Sequence, residues 1–330
     1  MWKLTEWVHR AGRCLILGAA VLVASDATAQ SQGSAGTVRQ IAFSFDDAPR
    51  KDGPVFGGMT RTNVLIAALA KAKVEGAAFY VLTGSITKTP SGADRLRAYV
   101  EAGHVLANHS DSHPRLRETT PDAYLQDIDL AATRLGAFDG VLPLFRYPYL
   151  DEGDTPAKRR AVKDGLAARG LANGYVTIDT YDWYMQALLD EAIAAGHPVD
   201  FEALGAVYVE VMMEGIAFYD ALASDTLGRA PRHVLLLHEN DLAALYVDDL
   251  AVALRAEGWE IVPTQTAYAD PIAQVVPETE FNGQGRVAAI AHARGTPPRH
   301  LVSRVEDVDY LRTLFEARGL LPSTKRKDDP

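Results

Sequence analysis

Cysteine is almost absent from this 330-residue chain: Cys14, in the first segment, is the only one. No disulfide framework can brace the fold, so stability has to come from an apolar core, which 48% hydrophobic residues over this length can supply. Basic stretches are scarce too. The one Lys/Arg block is Lys325-Arg326-Lys327, read as part of a solvated tail, and the formal net charge is −10. A nucleic-acid partner needs a basic face, and none is evident, so nucleic acid is not expected as a partner. No solenoid-type repeat runs through the chain. Aromatic residues, 8% of the total, outline no long stacking platform.

The apolar run Cys14–Ala24 is too short for a comfortable bilayer span. Lys3, Arg10 and Arg13 precede or open it, and Ala27-Thr28-Ala29 supplies a small-x-small cleavage pattern. Residues 1–29 therefore read as a cleavable signal peptide, with an uncleaved N-terminal anchor as the alternative. Either way the domain is expected outside the cytoplasm, periplasmic or secreted, without stable membrane insertion once the leader is removed. Residues 30–37, rich in Gln, Ser and Gly, read as a linker.

From there apolar runs and helical periodicities alternate. Strands are expected at 41–45, 77–82, 104–108, 142–147, 174–178, 233–237 and 259–262, with helical patterns between them. Residues 185–223 read as two helices split near Gly196-His197-Pro198. Such alternation implies parallel pairing, and seven units fit a barrel-like (β/α) arrangement, with an open doubly wound sheet as the structural alternative. Residues 38–265 are expected to form this domain. Residues 266–330 are read as a C-terminal appendage carrying one amphipathic helix, Val305–Gly319, and a disordered tail from 322.

Chemistry-bearing side chains follow the strands. Asp46 and Asp47 come after the first, His109 and His113 after the third, Arg146-Tyr147-Pro148-Tyr149 at the end of the fourth, Asp179 and Asp182-Trp183 after the fifth, and His238 at the end of the sixth. Active sites of barrel enzymes form at the C-terminal ends of several strands, which is the placement seen here. Two adjacent carboxylates resist joint ionisation unless a cation or proton is present. His109 and His113, four apart, can face one point, and Pro114 favours a loop or terminating turn over a mid-helix pair. With Asp47 they make a two-histidine, one-carboxylate set that suits zinc with open positions, and equally iron, cobalt or manganese.

Together these residues resemble the polysaccharide deacetylase family, the carbohydrate esterases built on a NodB-homology domain. Ser44-Phe45-Asp46-Asp47, His109-Ser110 through His113, Arg146-Tyr147-Pro148-Tyr149, Asp179 through Trp183, and Leu235 through His238 are similar to five family motifs, in order. The resemblance implies α/β class and a distorted (β/α)7 barrel-like fold. It also implies divalent-metal-dependent hydrolysis of N-acetyl, or O-acetyl, groups on a glycan such as chitooligosaccharide or peptidoglycan. Zinc leads as the metal, before cobalt, manganese, iron or nickel. Asp47, His109 and His113 would hold it. Asp46 would be the general base, oriented by Arg146. His238 would be the general acid, polarised by Asp179 in preference to Asp182. The Tyr147 amide would hold the oxyanion, and Trp183 and Tyr149 would contact the sugar.

Two features depart from the family pattern. Ala48 replaces the usual glycine, and residues 184–232 are long for the family. Tyr208, Val211, Met212 and Tyr219 in that stretch are read as helix core, with a lid as the alternative. His104 is read as structural, His233 as a partly exposed edge residue, and Asp241 as a helix cap. A hydrolase of a non-sugar or cyclic amide and a catalytically dead glycan-binding protein are the competing functions.

Overall fold

The computed structural model describes residues 38–322. The leader expected over 1–29, the linker over 30–37 and the tail from 323 onward lie outside the described residues. Among the described residues seven strands appear: β1 (Arg39–Ala48), β2 (Ala78–Val81), β3 (Val105–Asn108), β4 (Val141–Phe145), β5 (Ala172–Asn173), β6 (His233–His238) and β7 (Trp259–Ile261). The helices are α1 (Gly58–Lys71), α2 (Gly92–Glu101), α3 (Pro121–Leu135), α4 (Pro156–Ala168), α5 (Asp182–Ala194), α6 (Phe201–Leu227), α7 (Asp241–Ala256), α8 (Thr264–Tyr268), α9 (Gly285–Ala293) and α10 (Val308–Ala317).

All strand pairs are parallel, in the order β5-β4-β3-β2-β1-β6, with β7 against the start of β1. The fifth strand is not the continuous 174–178 run expected. Only Ala172–Asn173 pairs with β4, and Ile178 instead bridges Leu235 of β6. Gly174 marks the break. Its amide donates to Phe145 O at 2.7 Å, and a Cβ there would overlap the Tyr80 hydroxyl, so the chain crosses at a point where only glycine fits. Residues 172–178 thus touch β4 at one end and β6 at the other, curling the sheet into a distorted barrel.

Side-chain alternation along β1 sorts the core. Ile41, Phe43 and Phe45 pack outward in the main apolar cluster, together with Leu65, Leu237 and Leu250. Ala42 and Leu236 belong to a second cluster on the other face. Ser44 and Asp46 continue that second face, which is how an acidic residue enters the barrel mouth.

The split helical stretch is present as α5 and α6. Tyr208, Val211, Met212 and Tyr219 of α6 are fully buried in the main cluster, as core rather than lid. Beyond 266 the structure holds more than the one helix expected. The short α8 ends at Tyr268, α9 is additional, and the last helix begins at Val308 rather than at 305. Val287 and Ile290 of α9 enter the second cluster, and Leu301, Val305, Leu311 and Phe315 enter the main one.

Candidate active site

At the C-terminal end of β1, Asp46 and Asp47 diverge because Asp47 adopts φ 67°, a left-handed conformation that aspartate tolerates better than most residues. Asp46 keeps the inward direction. Its Oδ1 accepts from Arg146 Nη1 at 2.6 Å. Arg146 is wholly buried and tightly held: it also donates to Gly174 O (2.7 Å), Ser44 Oγ (2.8 Å) and Tyr268 OH (3.0 Å), and its guanidinium stacks 3.7 Å over the Tyr80 ring. So fixed an arginine holds its partner carboxylate in one orientation. Sequence reading did not single out Tyr80 or Tyr268 as parts of this cage.

The His109–His113 segment is a tight loop, as Pro114 implied, with Ser110 (φ 71°) and His113 (φ 60°) left-handed. Side chains pin it. Asn108 Oδ1 accepts from the Ser110 amide (2.8 Å), Ser110 Oγ from the His113 amide (3.0 Å), and Asp127 from the Asp111 amide (2.7 Å) and Ser112 Oγ (2.6 Å). Several non-glycine residues with positive φ, among them Asp47, Ser110, His113, Tyr149 and Leu150, gather at this mouth, where strain is held by surrounding bonds.

Asp47, His109 and His113 each bring one ligand atom to within 4.8 Å of the others. His113 Nε2 lies 3.3 Å, and His109 Nε2 3.7 Å, from Asp47 Oδ1. These approaches satisfy ion-pair distance only, for Asp47 Oδ1 is buried without a hydrogen-bond partner among the described residues. An orphaned carboxylate oxygen facing two imidazole nitrogens is what a cation site requires. His109 Nδ1 lies 2.9 Å from Arg146 O, which fixes the proton there and leaves the Nε2 lone pair facing His113 Nε2 at 3.2 Å. Burial and the neighbouring His109 pull His113 down to about 4, so its ring is neutral and able to ligate. Burial pushes Asp47 up, but His238, Arg50, His113 and His109 outweigh it and hold the carboxyl at about 2. Arg50 Nη1 bonds the far oxygen of Asp47, Oδ2, at 2.8 Å.

His238 ends β6, in register with Asp46 on the neighbouring strand. Its Nδ1 lies 2.7 Å from Asp182 Oδ1, and its amide donates to Asp182 Oδ2 at 2.8 Å. The expected partner, Asp179, is not the one used. Asp179 instead accepts the Thr180 amide at 2.8 Å and is pushed well up by burial and by Glu306. Asp182 opens α5, and its first-turn position aims both oxygens at the β6 end. Burial lowers His238, yet the Asp182 carboxylate more than offsets it, and the imidazole is raised above its ordinary value.

Trp183 (41% exposed) and Tyr149 (47% exposed) stand open at the mouth. The Tyr149 ring lies 4.5 Å from His113. The Tyr147 ring turns away, packed against Phe145 and Tyr124.

Behind the loop after β1 lies an ionic cluster that local sequence did not reveal. Glu239, fully buried, accepts from Arg95 Nη2 on both oxygens (2.6 and 2.7 Å), from Tyr99 OH (2.8 Å) and from the Arg50 amide (2.8 Å). Arg61 bonds Asp241 (3.2 Å) and the carbonyls of Arg50 and Lys51. Asp241 is therefore an ion-pair partner, and the cap of α7 is Asn240, whose side chain accepts from Ala243 N. His233 is fully buried between Thr177 Oγ1 and Asp220, not at an exposed edge.

Fold and site define a class: a barrel-like α/β protein with a carboxylate–imidazole centre, flanked on one side by an arginine-held aspartate and on the other by an aspartate-held histidine. Residues 34–167 match the polysaccharide deacetylase family model. A peptidoglycan-N-acetylglucosamine deacetylase of Bacillus cereus is 26% identical over 145 residues, 44% of this chain and 46% of that protein, so the match spans about half of the relative's length. Similar solved structures include a T48 deacetylase with substrate (19% identity, TM-score 0.46, 71% of this chain and 92% of that one). Another is a family 4 carbohydrate esterase from Streptomyces lividans in complex with acetate (22%, 0.45, 69% and 95%). Over residues 34–167, about two fifths of its length, the chain is similar to the polysaccharide deacetylase family.

Proposed function

We propose that this chain removes acetyl groups from an N-acetylated glycan, releasing acetate and a free amine. The observation that carries this reading is the pairing of two buried dyads, Asp46–Arg146 and His238–Asp182, at the ends of adjacent strands around the Asp47–His109–His113 set.

Asp47, His109 and His113 would hold a divalent cation, zinc first by donor type. Bound there, such an ion polarises the acetyl carbonyl and lowers the pKa of water. The remaining work falls to protein groups. Asp46, held in one orientation by Arg146, takes a proton from the attacking water. His238, protonated and oriented by Asp182, delivers a proton to the departing nitrogen, without which an amine leaves poorly. The backbone amide of Tyr147 would help hold the developing negative oxygen. Trp183 and Tyr149 flank the sugar as exposed apolar surfaces. The leader pattern in residues 1–29 supports an exported enzyme acting on envelope or environmental glycans.

Asp46→Asn separates binding from chemistry. It should keep metal, measured by calorimetric titration, and lose turnover. Near-full activity in that variant would remove Asp46 as the base.

A further inference from the structure

We propose that Arg115 receives a carboxylate carried by the glycan beside the acetylated ring, so that the site selects acidic over neutral acetylated glycans. The inference rests on the deacetylase reading above and deepens it to a substrate class.

Arg115 lies two residues after the metal-ligand candidate His113, at the mouth of the site. Its guanidinium carbon sits 3.7 Å over the ring of Tyr149, and that ring in turn lies 4.5 Å from the ring of His113. Two ring contacts therefore connect Arg115 to the metal set. Tyr149 is half exposed and Arg115 partly so, leaving both open to an incoming ligand.

The charge of Arg115 is unanswered among the described residues. Among the described residues its guanidinium has no hydrogen bond and no ion pair. Its neighbours are committed: Arg50 to Asp47, Arg146 to Asp46, and Arg117 to Asp151 and Asn282. The chain carries 43 acidic against 33 basic residues, so an arginine without a carboxylate at the edge of a substrate site stands out. Stacking on an aromatic face fixes the plane of the guanidinium and leaves its N–H fork free at the edge. That fork matches a planar carboxylate in two parallel hydrogen bonds, a geometry that a hydroxyl or an acetamido group does not offer. A neutral oligosaccharide would leave Arg115 as it is, solvated and idle.

The test uses metal-supplemented protein and one pair of oligosaccharides. The first has N-acetylated rings alternating with carboxylate-bearing rings. The second is the same compound after methyl esterification of the carboxylates. We expect kcat/KM for acetate release to favour the acid by about five- to tenfold in wild type, the scale of one partly exposed, well-formed charge pair. That ratio should fall to about one in Arg115→Gln. Arg115→Lys, which keeps charge but not the fork, should retain part of it. A wild-type ratio near one, or a ratio that survives in Arg115→Gln, would overturn the assignment. Acetate from neither compound would instead sink the deacetylase reading. Calorimetric binding of the same pair still decides on Arg115 in that case: preferential binding of the acid, lost in Arg115→Gln, supports it, and equal binding rejects it.

Discussion

Asp182 grips His238 at two points, its Oδ1 at 2.7 Å from the ring Nδ1 and its Oδ2 at 2.8 Å from the backbone amide. One carboxylate thus sets both the ring's tautomer and the end of the strand that bears it. Asp179, three residues earlier, makes neither contact and faces Glu306 instead.

Asp182→Asn should therefore lower kcat by about a hundredfold, within the range general acid catalysis supplies, and Asp179→Asn by much less. The pH profile separates an electrostatic role from a packing role. Asp182 raises His238, and a general acid works while protonated, so activity falls as pH rises through that pKa. In Asp182→Asn the alkaline limb should move to lower pH; an unmoved limb would limit Asp182 to a steric part.

Metal should stabilise the fold by mass action. At hundredfold excess over Kd a bound ion adds about 2.7 kcal/mol, so zinc should raise the unfolding temperature and a chelator should reverse the rise. His109→Ala and His113→Ala should show no such rise. Calorimetric scans with and without chelator read this without any substrate.

Glu239 ties the loop after β1 to the strand end that bears His238. Removing one partner of a buried ion pair leaves the rest uncompensated, at about 3–5 kcal/mol. Glu239→Gln should cost stability on that scale in urea titrations. It should also weaken metal binding, because the Arg50 amide that Glu239 holds belongs to the residue bridging Asp47. Unchanged metal affinity would separate the cluster from the site.

His104 gives a pH signature of its own. Burial lowers it to about 4, and its Nδ1 has no hydrogen-bond partner among the described residues. The folded state favours the neutral ring, so its contribution is complete above the unfolded value near 6.5 and is lost as pH falls toward 4. That span corresponds to about 3 kcal/mol. His104→Leu should flatten the decline in stability over this window, followed by urea unfolding at pH 7 and at successive lower values.

The parts of the site legible in the sequence are those carried by strand ends. An apolar run followed by Asp46-Asp47 or closed by His238 announces both strand and mouth. Choosing between Asp179 and Asp182 was beyond that signal, because the turn into α5 decides which carboxylate reaches β6. The Glu239 cluster left no local trace, since Arg95 and Arg61 reach it across 144 and 178 residues. The break at Gly174 depends on Tyr80 from β2, equally remote. The α9 segment is alanine-rich and buried on most sides, so it shows little periodicity to read.

Acetate release by the metal-supplemented chain from N-acetylated oligosaccharides tests the central claim most directly. The account predicts acetate from at least one glycan class, abolished by chelation, restored by added zinc or cobalt, and lost in Asp46→Asn. Metal bound at Asp47, His109 and His113 with no acetate from chitooligosaccharide, peptidoglycan fragments or carboxylate-bearing oligomers would contradict it.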